Sequence, residues 1–370
     1  MSRIVVKIGS NILTESSGRL NYKRIHAIAH DVAETCKSGY EVVVVSSGAI
    51  AAGMDKLGLT EKPKEIELKQ AAAAAGQSSL MRAYERSFRH HGKKVAQVLL
   101  TREVVTFRQT YLNSRNTLNT LLSFGLVPIV NENDTVATDE IKFGDNDRLA
   151  AIVAGIVDAD RLVILSDVEG LYSSDPKKDR KAQIIPYVIK VTPELESIAG
   201  GAGSIVGTGG MYSKLLAAKK AASFGISVNI ISGKKPGLLV ELLHGNHHGT
   251  EFIASKTHMP SRKGWIANAM RPSGKLVLDS GAVNALMNAG RSLLPSGIVT
   301  VEGNFDRGDA VFCYDQAGKR IAKGIVNYSS VEVERIKGKK TTEIEKILGL
   351  KREDEIIHRD DLVVFQENPG

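Results

Sequence analysis

The sequence is poor in cysteine and has no long apolar run. Its 370 residues include two cysteines, Cys36 and Cys313, which are too few and too far apart for a disulfide framework or a zinc site. No run of about 18 apolar residues occurs, and the first residues lead straight into a strand-like run at 4–6 instead of a signal-peptide pattern. These absences predict a soluble, cytoplasmic protein in a reducing compartment, with no membrane partner.

The two commonest nucleotide-binding signatures are also missing. Neither G-x-x-x-x-G-K-[ST] nor G-x-G-x-x-G follows any strand-like run. A phosphate site, if the chain has one, must therefore be built from other loops.

Size and charge indicate two unlike parts. The 370 residues are 42% hydrophobic and 24% charged, which is enough for a buried core. A chain of this length is longer than one ordinary domain, so we expect two. Residues 271–370 carry fifteen basic and fifteen acidic side chains, so the net charge of +8 belongs entirely to residues 1–270. That bias suits a region that handles phosphates, and a chance scatter of surface lysines explains it equally well.

The first part of the chain alternates short apolar runs with amphipathic stretches. This pattern predicts an α/β fold with an open, mainly parallel sheet and helices on both faces. The predicted strands are 4–8, 41–46, 94–100, 127–131, 162–166 and 228–231. The predicted helices are 22–38, 66–88, 111–124, 147–157 and 212–224, and glycines at 39, 125 and 225 end three of them.

The alternation stops between residues 244 and 272, where Gly, His, Lys and Pro accumulate. We predict a catalytic domain over 1–260, a linker over 261–272 and a second domain over 273–370. Short strand-like runs separated by Gly and Asp turns make the second domain a small β-rich barrel with little helix.

One lysine interrupts the first apolar strand. Lys7 stands directly before Ile8 and Gly9, and a lysine in a buried strand is costly unless it is paired. A functional role is therefore favoured over that of an edge-strand lysine that reaches solvent.

Two further segments have the composition of a ligand site. Residues 207–214 place glycines and Lys214 at the start of a helix, where backbone amides attract anions, although a plain glycine-rich connector explains the glycines as well. Residues 131–134 and 145–147 concentrate amides and carboxylates around another helix start. Helix capping accounts for Asp147 alone, so we expect at least one residue of the set to meet a ligand amine, a metal or the two lysines.

These segments together resemble the amino-acid kinase family, and the resemblance extends over the whole chain. The matching motifs are Val6–Ser10, Val45–Ile50, Asn131–Asp134, Phe143–Asp147 and Gly207–Met211. The C-terminal part resembles the PUA domain. The resemblance implies the amino-acid kinase fold and ATP-dependent phosphorylation of the γ-carboxylate of L-glutamate to L-glutamyl 5-phosphate, the first step of proline biosynthesis. It also implies Mg²⁺ bound with ATP, feedback inhibition by proline and a homo-oligomer, either dimer or tetramer.

The resemblance also implies a role for each matching residue. Lys7 and Lys214 hold the transferring phosphoryl group, and Asp147 orients both. Gly9 and Gly48 allow close backbone approach to the substrates. The residues implied to bind glutamate are Ser47, Gly48, Asp134 and Asn146. Those implied to bind ATP are Lys7, Gly9, Ser166, Asp167, Thr208, Gly209, Gly210, Met211, Tyr212, Ser213 and Lys214. Ser166 departs from the threonine of the family pattern but keeps its hydroxyl, and no protein ligand to the metal is assigned.

Other functions remain open at this stage. Aspartate, N-acetylglutamate and UMP are the alternative acceptors within the fold, and Ser47, Asp134 and Asn146 favour a free amino acid. An RNA-binding or RNA-modifying protein acting through the barrel is the alternative from another class. Its net-neutral C-terminal part, which shows no basic stripe with aromatics along the sequence, makes nucleic acid a poorly supported partner.

Overall fold

The structure is a computed structural model that describes residues 2–15, 17–101, 104, 108–136, 145–176, 178–200, 210–254, 261–268 and 270–365. The chain divides into two compact units, residues 1–104 with 113–258 and residues 105–112 with 259–370. No helix within the described ranges is long and apolar enough to cross a membrane.

Unit 1 is built on an eight-stranded sheet. Its strands are β1 (Arg3–Ile8), β2 (Glu41–Ser46), β3 (Val95–Leu100), β4 (Val127–Glu132), β5 (Arg161–Ser166), β6 (Tyr187–Val188), β7 (Ser227–Ser232) and β8 (Thr250–Phe252). They lie in the order β3-β4-β2-β1-β5-β7-β8-β6, and all neighbours are parallel except β7 and β8. The six predicted strands and the mainly parallel sheet are thereby confirmed. The sequence analysis missed β6 and β8, because runs of two and three residues are too short to show a period.

Helices cover both faces of this sheet. They are α1 (Ser10–Leu13), α2 (Tyr22–Lys37), α3 (Ala49–Lys56), α4 (Ile66–Arg89), α5 (Arg108–Ser123), α6 (Asp145–Ile156), α7 (Pro193–Ile198), α8 (Met211–Ala222) and α9 (Leu238–Leu243). One core cluster joins β1 and β2 to α2 and α4. Helix α6 lies outside that cluster and packs against β1, β2, β4 and β5. Burial on both faces explains why β1 and β2 are almost continuously apolar.

The five predicted helices of this unit are present as α2, α4, α5, α6 and α8. Gly39, Gly125 and Gly225 follow three of them with φ between 71° and 91°, the left-handed conformation that favours glycine at a helix end. The helices that were missed, α1, α3, α7 and α9, have four to eight residues each. Such short helices depend on tertiary packing and leave little periodicity in a sequence.

Helices α3 and α4 cross at two glycines. A Cβ atom on Gly76 would lie 1.9 Å from the carbonyl oxygen of Ala49, and one on Gly53 would lie 1.7 Å from that of Ala72. The two backbones therefore touch where they cross. This contact holds α4 close to the turn that follows β2.

The described residues of unit 2 form a five-stranded sheet and four short α-helices. Its strands are β9 (Pro272–Leu278), β10 (Ile298–Gly303), β11 (Ala310–Tyr314), β12 (Arg320–Ile325) and β13 (Leu362–Val364). Its helices are α10 (Ser261–Asn268), α11 (Ser280–Ala289), α12 (Ser330–Ile336) and α13 (Ile344–Leu348). The small β-rich domain is confirmed. Its described strands lie in the order β10-β9-β11-β12-β13.

The segment predicted as a linker, residues 261–272, contains α10 and the start of β9. Helix α10 buries Trp265 and Ile266 and contacts β12 and β13. The polar and glycine-rich composition around this helix suggested a domain boundary. The helix itself was missed because two adjacent apolar residues are too few to indicate a buried helix. Where the functional domains begin and end stays a prediction.

The glycine crossing of α3 and α4 leads to a stability test. Gly76→Ala forces a Cβ atom into backbone, which cannot move aside as a side chain can. We expect the free energy of unfolding to fall by about 3 kcal/mol, measured by urea denaturation. Gly281→Ala is the matched control, since its Cβ meets only Asp279 Oδ1 at 3.4 Å, and it should change stability by less than ~1 kcal/mol. Equal stability of the two variants would contradict the close crossing.

Candidate active site

The polar segments singled out in the sequence lie where neighbouring parallel strands end. β1, β2, β4, β5 and β7 all finish at the same edge of the sheet. Backbone hydrogen bonds hold these strand ends together. Gly9 N donates to Leu165 O at 3.2 Å, and Gly233 N donates to Ser166 O at 2.7 Å. This is the edge at which open parallel sheets bind ligands.

Three charged side chains form a buried group at this edge. Lys7 Nζ lies 2.5 Å from Asp147 Oδ1, and Lys214 Nζ lies 3.5 Å from Asp147 Oδ2. Lys7 comes from the end of β1, Asp147 from the first turn of α6 and Lys214 from the first turn of α8. None of the three residues exposes more than 5% of its surface. The structure thus brings together the three residues that the resemblance assigns to phosphoryl transfer.

The charges of this group are unequal. Burial by itself would raise the pKa of Asp147, but the charges of Lys7 and Lys214 outweigh it and hold that pKa below its usual range. Burial lowers the pKa of Lys7, Lys214 lowers it further, and Asp147 opposes both. One carboxylate facing two amines leaves room for another negative charge, so the group favours an anion.

The first turn of α8 provides a further contact to the same carboxylate. Ser213 Oγ donates to Asp147 Oδ2 at 2.5 Å. Gly210 caps the helix, and Met211 and Tyr212 follow it, half-buried, in the first turn. Thr208 and Gly209 lie outside the described residues, so their predicted contact with the nucleotide stays a prediction.

A second polar group lies beside the charged one. Asn146 Nδ2 donates to Ser47 Oγ at 3.2 Å and to Asn131 Oδ1 at 3.1 Å. Asn131 Nδ2 in turn donates to Gln77 Oε1 at 3.0 Å. Gly48 begins α3 with φ of 102°, a conformation that glycine adopts without strain. Ser47 and Asn146 are therefore in direct contact, as a shared role in binding requires.

Asp134, two residues after the end of β4, is a carboxyl group with a raised pKa. Burial, with a smaller effect from the charge of Glu132, raises its pKa to about 7. A carboxyl group that changes charge near neutral pH is suited to meeting a ligand cation.

The end of β5 carries the remaining predicted residues. Asp167 Oδ2 accepts from Asn11 Nδ2 at 3.0 Å, and the Ser166 hydroxyl lies 3.4 Å from Asp167 Oδ1. Burial would raise the pKa of Asp167, but the bond from Asn11 and the charges of Lys214 and Lys234 lower it. Asp167 is thus an ionised carboxylate near the charged group.

Sequence reasoning gave no role to three residues that the structure places here: Asn11, Gln77 and Asn131. Asn131 lies in a strand-end segment singled out in the sequence and Asn11 directly follows the motif Val6–Ser10, so their position was the available signal. Gln77 lies in the middle of an alanine-rich helix and carries no signal in the sequence.

Comparison with known proteins gives this geometry its context. A model of the amino acid kinase family matches residues 2–232, and one of the PUA domain matches residues 274–348. The chain belongs to the amino acid kinase family. A glutamate 5-kinase of Geobacter sulfurreducens is 52% identical over 99% of this chain and 98% of its own length. A glutamate 5-kinase of Myxococcus xanthus is 51% identical over 98% and 96%. A solved UMP kinase structure from Ureaplasma parvum covers 68% of this chain and 98% of its own, at 17% identity and a TM-score of 0.47.

Amino acid kinase family membership raises the question of a metal ion that accompanies the nucleotide. The described residues contain no group of three or more His, Cys, Asp or Glu side chains that could hold a metal ion. Asp147 is engaged by two lysines, whereas Asp134 and Asp167 are partly exposed carboxyl groups of this edge. These donors fit a Mg²⁺ ion held chiefly by nucleotide phosphates, with at most one or two carboxylates from the protein.

Asp147 should stabilise the fold strongly, because it is the carboxylate that both buried lysines face. Asp147→Asn keeps the shape of the side chain and removes the carboxylate that both amines face. We expect the free energy of unfolding to fall by about 3 kcal/mol or more at pH 7, measured by urea denaturation in a buffer without phosphate.

Ser213→Ala is the matched control, since it removes one hydrogen bond to the same carboxylate and should cost about 1 kcal/mol. A loss from Asp147→Asn no greater than that of the control would show that the carboxylate does not hold the lysines.

Proposed function

We propose that this chain transfers the γ-phosphoryl group of ATP to the γ-carboxylate of L-glutamate, as glutamate 5-kinases do. The observation that carries this proposal is the buried group of Lys7, Asp147 and Lys214 beside the polar group of Ser47 and Asn146. The first suits a phosphoryl group and the second an amino acid. Full-length relatives with this activity, about half identical to the chain, support the assignment.

The reaction requires charge neutralisation more than proton transfer. A γ-carboxylate oxygen attacks the terminal phosphorus of ATP, the bond from that phosphorus to ADP breaks, and L-glutamyl 5-phosphate forms. The carboxylate is already ionised at neutral pH, so no general base is needed. Lys7 and Lys214 stabilise the charge on the phosphoryl oxygens during transfer, and Asp147 holds both lysines in place.

Glutamate recognition falls to Ser47, Asp134 and Asn146, with Gly48 allowing close backbone approach. Asp134 meets the α-ammonium group, which an acetyl group would neutralise. Ser166, Asp167 and the first turn of α8, from Gly210 to Lys214, flank the nucleotide, and Gly9 lies against its phosphates. Mg²⁺ bound with ATP would screen the phosphate charges.

The proposal also covers inhibition by proline and the assembly of the protein. Proline carries the same ammonium and carboxylate on one carbon, so we expect it to compete with glutamate for these contacts. A homo-oligomer, a dimer or tetramer, and a place in the cytoplasm stay predictions. Every residue given a role precedes residue 215, so the PUA domain is proposed to be an accessory to the chemistry.

The substrate is tested by measuring ADP formation from ATP and Mg²⁺ with each acceptor, with hydroxylamine present to trap acyl phosphates as hydroxamates. Glutamate should support turnover, and aspartate, N-acetylglutamate and UMP should give less than about 1% of it. N-acetylglutamate is the sharpest comparison, because it keeps both carboxylates while a neutral, bulkier amide replaces the ammonium group. Comparable turnover with any of the three would contradict the proposal.

The pKa of Asp134 predicts how glutamate binding depends on pH. With a value of about 7, the carboxylate that meets the α-ammonium group is mostly protonated at pH 6 and mostly ionised at pH 8. The KM for glutamate should therefore fall about tenfold between these values. Asp134→Asn should have a high KM that is flat over the same range, and an unchanged slope in this variant would assign the pH dependence to another group.

A further inference from the structure

Four polar side chains form a continuous chain of hydrogen bonds beneath the substrate edge. Gln77 on α4 accepts from Asn131, Asn131 accepts from Asn146, and Asn146 donates to Ser47 as well. The three distances lie between 3.0 and 3.2 Å. Gln77 is the member to which neither the family motifs nor the proposed mechanism gives a role.

One backbone N–H group determines the donor-to-acceptor direction of all the hydrogen bonds in this series. The amide nitrogen of Glu132 donates to Asn131 Oδ1 at 2.9 Å. A backbone N–H can only donate, so it decides which end of the Asn131 amide is the oxygen. Asn131 Nδ2 must then face Gln77, and the atom of Gln77 that accepts from it must be Oε1.

The same reasoning determines which side-chain atoms of this hydrogen-bond chain remain available to a ligand. Asn146 uses Nδ2 for its two bonds, so its Oδ1 remains as an acceptor. Gln77 uses Oε1, so its Nε2 remains as a donor. Both atoms are buried and have no hydrogen-bond partner in the part of the chain that the structure describes. Buried polar atoms without partners are rare in folded proteins, and a ligand is one of the ways in which they are satisfied.

The two free atoms match the two charged groups on the α-carbon of an amino acid. An ammonium group only donates and suits the Asn146 oxygen, whereas a carboxylate only accepts and suits the Gln77 Nε2 donor. We propose that Gln77 binds substrate directly, with Nε2 donating a hydrogen bond to the α-carboxylate of glutamate. This inference rests on the proposed glutamate kinase activity and adds a specificity residue to it.

The fold gives Gln77 a precise position. It follows Gly76, whose backbone touches Ala49 and Gly53 at the crossing of α3 and α4. Helix α3 begins directly after Ser47 and Gly48. The crossing therefore sets the distance between Gln77 and the turn that carries Ser47, as a two-point contact with one small substrate requires.

Gln77→Glu separates direct binding from a supporting role. The variant keeps an acceptor for Asn131 but replaces the Nε2 donor by a carboxylate oxygen, which repels the α-carboxylate of glutamate. We expect kcat/KM for glutamate to fall about 100-fold. The α-amide of glutamate offers an NH₂ donor at the same place. The ratio of kcat/KM for glutamate to that for its α-amide should therefore fall at least tenfold.

Two further variants complete the test. Gln97→Glu makes the same chemical change at an exposed position on β3. Its kcat/KM for glutamate and for the α-amide should both stay within twofold of the wild-type values. Gln77→Met removes donor and acceptor together, and it should also narrow the preference for glutamate over the α-amide. If Gln77→Glu does not fold, as judged by circular dichroism, the preference measured in Gln77→Met decides.

The outcomes are distinct. Wild-type rates in Gln77→Glu would overturn the inference, and so would a Gln77→Met variant that is slow but keeps the wild-type preference, because Gln77 would then only support Asn131. Absence of glutamate-dependent turnover in the wild-type protein would instead refute the proposed function. Direct binding is supported if the preference for glutamate over its α-amide changes in the Gln77 variants and not in Gln97→Glu.

Discussion

The structure of the site depends on one buried carboxylate that faces two buried amines. Two lysines at the ends of different elements would repel each other in the interior, and Asp147 removes much of that repulsion. The group holds two amines and one carboxylate, a composition that suits the phosphoryl group of the proposed reaction. The same interaction therefore explains how the lysines are tolerated in the interior and why they favour an anion.

The sheet and the helix crossing place this interaction beside the substrate groups. Parallel strands bring the ends of β1, β2, β4 and β5 to one edge, so residues far apart in sequence meet there. Asn146 and Asp147 are consecutive, and they connect the amide chain on one side with the lysines on the other. The residues proposed for acceptor binding and for phosphoryl transfer thus meet at one helix start, that of α6.

The sequence predicted the parts of the site that carry an energetic cost or a family motif. Lys7 was noticeable because it interrupts a buried strand, and Asp147 and Lys214 because they stand at helix starts. Gln77 was not predictable, since its role depends on a helix crossing and on the direction of a hydrogen-bond chain, neither of which leaves a pattern in sequence. Helix α10 was missed for a related reason, because it is held by the burial of Trp265 and Ile266 and not by its own periodicity.

The central claim is that Lys7 and Lys214 act on the transferring phosphoryl group, and steady-state kinetics of Lys214→Ala measures this most directly. The account predicts that kcat falls by about 100-fold or more while the affinity for glutamate, measured separately by calorimetry, stays within about threefold. A near-normal kcat would contradict it, and so would a loss that appears only in glutamate affinity.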